Sequence, residues 1–259
     1  RLDLRAEGLD ARGSVTLTES GGLDAARFTA VRLEDWFRGA VTVSGRGNGR
    51  SVAVGVTGGE ADLRLLPDDM GTGAGGRGAD IPLSVRLDRL RVTQSIFVSG
   101  FEGRFTPLGG FNGTFTGRVN DTAPVTGTVV PARNGTAVRI RSGDAGAVLA
   151  AAGVFASARG GDLDLQLTPR GPKGHYDGVA LISRVRVVDA PVLAELLNAV
   201  SVVGILEQLS GSGLVFNDVI GEFLLTPAAV EIRRGSAIGL SLGISMAGVY
   251  ATENKALAL

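Results

Sequence analysis

Residues 111–119 read FNGTFTGRV. Phe111, Gly113, Phe115, Gly117 and Val119 recur with period two, so they share one face of an extended chain, and the polar residues between them share the other. The stretch therefore predicts a strand with one covered and one wet face. Large and small side chains alternate on the covered face, which is expected to admit another layer, or a ligand, close to the backbone.

The same alternation extends along the chain in RLDLRAE, AVTVSGRG, SVAVGVTGG, ADLRLL, LSVRLDRLRV, AVRIRSG, GDLDLQLTP, VEIRRG and GLSLGISMAGVY. Turn signals separate these runs: Asn-Gly at Asn48, Asn112 and Asn134, and Gly-Gly at Gly21, Gly58 and Gly160. Together they predict a mostly β, antiparallel protein and disfavour a parallel α/β fold. The longest loop is expected at DDMGTGAGGRGAD, residues 68–80, which is too glycine-rich for regular packing.

Composition narrows the function classes. Basic and acidic residues both number 26, so no global charge draws the chain to nucleic acid. Without Cys there is no disulfide framework or thiolate metal site, and a single His leaves common zinc sites without ligands. Forty Gly against 5% aromatics suit many turns and closely packed strands. The chain opens on Arg1 and reads as a portion of something longer, with any signal peptide or anchor upstream.

Two stretches break the strand period. In residues 144–152, Asp144 is an N-cap ahead of an Ala-rich run that Gly153 ends. In residues 190–210, Asp189 caps, Pro191 sits in the first turn and GSG at 211–213 stops the helix. At about 100° per residue, Val192, Leu193, Leu196, Leu197 and Val200 lie roughly 140° from Val202, Val203, Ile205, Leu206 and Leu209. One straight helix cannot bury both faces, so a break is expected near Ser201–Gly204.

Motifs for chemistry are sparse. Gly71, Gly73 and Gly76 match a dinucleotide-binding spacing, but the strand-like ADIPLSVRL follows where a helix is required. GGRGAD, ending at Asp80, copies one unit of a calcium-binding β-roll, which needs repetition. His175 stands in a turn-rich loop beside Tyr176 and Asp177 and reads as a polar loop residue. Asp162 and Asp164 alternate with Leu163, Leu165 and Leu167, which places them on a solvent face. No catalysis, cofactor or metal is expected.

From about residue 138 onward the chain resembles the C-terminal region of the AsmA-like family of Gram-negative envelope proteins, including its TamB and YhdP branches. The resemblance lies in a succession: VRIRSGDAGAVLAAAGVF, ARGGDLDLQL, GVALISRVRVVDAPVLAELL, then LEQLSGSGLVFNDVIGEFLL and GLSLGISMAGVY. It covers about half the chain; residues 1–137 fit only as preceding strands. It implies an elongated, incompletely closed β-groove with two or three short helices near its C-terminal part. It further implies a periplasmic location, an inner-membrane anchor outside this stretch, and shielding of phospholipid acyl chains between the two membranes.

On that reading residues 1–137 form groove strands and residues 138–259 the AsmA-like region. The expected lipid lining is Val52, Val54, Val56, Leu63, Leu65, Val85, Leu87, Phe111, Phe115, Leu163, Leu165, Leu167, Leu240, Leu242 and Ile244. Leu193, Leu196, Leu197, Val200, Val203 and Leu206 are expected to cap the groove mouth or to touch a membrane or partner. Phospholipid is the expected partner. The rival reading is a structural or adhesive β-sandwich or β-solenoid whose apolar faces cover each other.

Overall fold

The structure, a computed structural model, describes residues 2–47, 52–67, 81–107, 110–171, 174–190, 194–195, 209, 212–227, 229–240, 242–251 and 256–258. The fold is mostly β, largely antiparallel and not closed into a barrel, with very few helices. It comprises two compact units: Arg1–Asp121 with Thr126–Ala137, and Thr122–Val125 with Val138–Leu259.

In the first unit β1 (Leu2–Ala6), β2 (Leu9–Leu17), β3 (Leu23–Leu33), β4 (Phe37–Ser44) and β5 (Ala53–Asp62) pair antiparallel in chain order. β6 (Leu83–Arg91), β7 (Phe97–Thr106) and β8 (Asn112–Val119) extend the ladder. One pair departs from the antiparallel expectation. Val54 pairs with Leu83 and Asp62 with Arg91, so β5 and β6 run parallel. Parallel neighbours need a crossover rather than a tight turn, and residues 63–82, most of them outside the described residues, separate the two strands in the chain.

Bulges cross this ladder at one level. The inward residues of β3 pass from Phe28 to Val31, of β6 from Leu87 to Leu90, and of β7 from Val98 to Phe101, each gaining one residue over strict alternation. β5 does the same at Gly58 and Gly59, both with positive φ, whereas β2, β4 and β8 alternate without interruption. Hence the register shifts between β3 and β4, β4 and β5, and β7 and β8, but not between β6 and β7, where both strands carry the extra residue. Such bulges bend and twist the strands that carry them.

The boundary between the units falls within β9 (Ala123–Ala132) and β10 (Gly135–Ser142). The second unit continues with α1 (Ala145–Ala151), the short β11 (Ala158–Arg159), β12 (Asp162–Pro169) and β13 (Tyr176–Val187). β14 (Leu214–Leu225), β15 (Ala229–Gly239), β16 (Gly243–Ala251) and β17 (Ala256–Ala258) complete it, in antiparallel meander order from β12. The Asp144 carboxylate accepts from the Ala147 N–H at 2.9 Å, capping α1, and Gly153 follows it with φ +71°. Of the stretch expected to be helical at 190–210, Ala194, Glu195 and Leu209 are helical; its predicted break lies outside the described residues.

Several expected turns and strands differ. Gly58 is a bulge inside β5 rather than a turn, and Asn112 opens β8. Asn48 and residues 68–80 lie outside the described residues. ADLRLL does not stay extended: Asp62 accepts from both the backbone N–H and the side chain of Arg64, and the chain turns there. GLSLGISMAGVY enters a strand only at Gly243, because the Gly239 N–H bonds the Leu242 carbonyl and closes a turn around Leu240.

Candidate functional site

Cross-strand register converts the alternation into continuous apolar faces. In the first unit Val43, Val54, Leu83, Phe105 and Gly113 form one row, and Val41, Val56, Val85, Gly103 and Phe115 the next. Beyond the bulges, Phe37, Ala61, Leu90, Val98 and Val119 form a third. No charged side chain stands in these rows. Burial is uneven along them. Phe37, Leu87, Leu90, Val98 and Phe101 are buried together with Ala11 and Val31 in one cluster, whereas Val43, Val54, Leu83 and Phe105 remain half-exposed. Among the described residues no helix covers this face, so the cluster is built from the sheet alone.

Phenyl rings occupy the places that the glycines leave. A Cβ on Gly103 would meet the Phe105 ring at 2.4 Å, one on Gly127 the Phe115 ring at 2.1 Å, and one on Gly117 the Val98 side chain at 2.3 Å. The rings also meet each other, with Phe101 and Phe115 stacked at 5.4 Å and Phe111 edge-on to Phe105 at 6.3 Å. The space that the FNGTFTGRV alternation predicted for a layer or ligand near the backbone is therefore filled from neighbouring strands.

In the second unit Leu163, Ile182, Val219, Ala237 and Ile244 form one row, and Leu167, Gly178, Phe223, Ile232 and Gly248 another. The first row is covered. Ala145 of α1, Ala190 and Leu209 are buried with Leu163, Ile182, Val185, Val187, Leu214 and Phe216, and Leu209 is only 2% exposed. Among the described residues the second row has no such cover: Leu167, Phe223, Leu225, Val230 and Ile232 are half-exposed, with Phe223 lying over Gly178. Tyr176 belongs to this end, and burial pushes its phenol above the usual range.

The expected lining residues fall in different environments. Val54, Val56, Val85, Phe115, Leu165 and Leu167 are half-buried on the apolar faces, Ile244 and Leu242 pack beside the second core, and Leu87 and Leu163 are buried within cores. Val52 and Phe111 are half-buried just before their strands. Leu63 and Leu65 sit in the turn after β5, Leu65 51% exposed, and Leu240 projects from its turn at 91% exposure. All six cap residues, Leu193, Leu196, Leu197, Val200, Val203 and Leu206, lie outside the described residues. Val43, Leu83, Phe105, Phe223 and Ile232 line the half-exposed rows without having been singled out; their alternation was visible, but the register that joins them was not.

The opposite faces are charged and paired. Asp164 accepts from Arg139 and also faces Arg141 at 3.4 Å; Arg139 holds its carboxyl below the usual range. Asp62, hydrogen-bonded to Arg64, is lowered in the same way. Asp162 pairs with Arg184, and Asp177 with both Arg170 and Arg233 at 3.2 Å. The second unit also carries apolar groups on this side, Leu181 opposite Ile220. Among the described residues no group of His, Cys, Asp and Glu could hold a metal ion. No protein-family model, curated protein or solved structure matches the chain.

Proposed function

We propose that the chain is a non-enzymatic lipid-binding segment that shields phospholipid acyl chains along its apolar sheet faces, as part of an AsmA-like envelope protein acting in the periplasm between two membranes. The observation that carries this reading is the pair of half-exposed rows, Val43–Val54–Leu83–Phe105 and Leu167–Phe223–Ile232, on faces without a charged side chain. An apolar row facing water is costly at about 25 cal/mol per Å2, and a hydrocarbon chain would relieve that cost without needing polar recognition.

The test is native mass spectrometry of the purified chain, with organic extraction of whatever remains bound. Co-purifying phospholipid, and photo-crosslinking of lipid from a benzophenone residue at Val54, Val85, Leu165 or Leu167, are expected. A lipid-free protein with no crosslink at any of the four positions would instead favour a structural module. One observation supports that second reading: the phenyl rings over Gly103 and Gly127 make the first unit's face partly self-covering.

A further inference from the structure

Arginine is in excess on the first unit's wet face. Register puts Arg27, Thr42, Gly55, Ser84 and Arg104 in one row across β3 to β7, so two long cationic side chains flank a floor of small hydroxyl groups and glycine. In a parallel row Asp10, Arg32, Arg38, Glu60 and Arg89 stand opposite one another in turn. Arg32 and Arg38 thus meet between two acids; Arg32 is held by Asp35 at 2.8 Å, whereas Arg38 forms no ion pair with the Glu60 beside it.

The acids of this face are largely engaged. Glu102 faces Arg86 at 3.5 Å, Asp62 takes Arg64 and Arg91, and Asp88 accepts from the Gly59 N–H at 2.7 Å. The side chains of Arg27, Arg38 and Arg104 are exposed and form no hydrogen bond or ion pair among the described residues. Of the other acids, Asp3 faces Arg12 at 3.6 Å, Asp24 accepts from the Thr16 hydroxyl at 3.2 Å, Asp10 and Glu60 stand in the row of Arg32 and Arg38, and Glu7, Glu19, Glu34 and Asp35 stand in turns at the strand ends. The formal charge of the whole chain is zero, so the positive character belongs to the face and not to the molecule.

We infer that this face docks on an anionic phospholipid surface, with Arg27, Arg38 and Arg104 taking headgroup phosphates through their guanidinium forks. Nucleic acid fits less well. Single strands are held by free aromatic rings, and the Phe97 ring on this face is already covered by the Arg89 guanidinium at 4.1 Å. The inference concerns headgroups at the face opposite the apolar rows, and it stands or falls independently of the acyl-chain reading.

The experiment is flotation of the 259-residue chain with vesicles of phosphatidylglycerol mixed with phosphatidylcholine, and with vesicles of phosphatidylcholine alone. Binding only to the anionic vesicles, weakened by salt, is expected. Arg27→Gln/Arg38→Gln/Arg104→Gln should reduce it by on the order of 100-fold at low salt, and the corresponding triple Lys variant should retain most of it. Circular dichroism checks the fold of each variant, and the three single Gln variants, each several-fold weaker, serve if the triple variant unfolds. Equal binding to both vesicle types, unchanged affinity in the Gln variants, or retention of single-stranded RNA with no vesicle binding would each overturn the inference.

Discussion

A methyl group added at Gly113 would lie 2.1 Å from the carbonyl oxygen of Arg104, an atom fixed in the β7 ladder. Gly113→Ala is therefore expected to cost about 1–3 kcal/mol in denaturant unfolding. Gly221 gives the opposite case: nothing stands within 4 Å of its missing Cβ, and its φ is ordinary. Gly221→Ala should be neutral or stabilising by up to about 1 kcal/mol. Both glycines follow the same alternation in the sequence. What separates them is the neighbour across the ladder, which no local pattern discloses. Asp62 and Asp164 make a second case at this scale. Their folded pKa values are depressed by Arg64 and Arg139, so their stabilisation is complete above the unfolded carboxylate value of about 3.9 and is lost as pH falls through the folded values. Unfolding midpoints should fall on acidification below about pH 4, and Asp164→Asn should flatten that slope.

Elements with local punctuation were legible. The Asp144 cap and Gly153 stop bracket α1, because both signals act within one turn of the backbone. The parallel β5–β6 pair was not, since residues 63–82 carry no local signal of which side the chain returns to. Leu209 was legible as apolar and helical but not as core. Leu209 belongs to the same buried cluster as Leu163, Val185 and Phe216, so it seals an end of the sheet instead of resting loosely on it. Leu209→Ala should cost about 2–5 kcal/mol, read from the unfolding midpoint, whereas Leu240→Ala, at a 91% exposed turn, should leave that midpoint unmoved.

For the whole molecule, period-two alternation was enough to foresee a largely antiparallel sheet with apolar faces, because that pattern is repeated in nearly every strand, while its being unclosed was implied by the family resemblance and not by the alternation. Which parts of those faces stay half-exposed depended on register and on the bulges. An unclosed sheet also has edges. β16 pairs with β17 only at Val249–Ala251, which leaves Gly243–Gly248 without a described partner on that side, with Met246 43% exposed. Met246→Lys should therefore suppress concentration-dependent association in sedimentation experiments without lowering the unfolding midpoint by more than about 1 kcal/mol. The line of bulges through β3, β5, β6 and β7 has a consequence for length changes. Each extra residue moves the remainder of its strand by one step, and one step exchanges the two faces of a strand. Loss of Gly59 alone would bring Glu60 and Asp62 toward the apolar side and send Ala61 to water. A single-residue deletion at this level thus equals several core substitutions made at once, and only a matching deletion in the adjoining strand could restore the pairing.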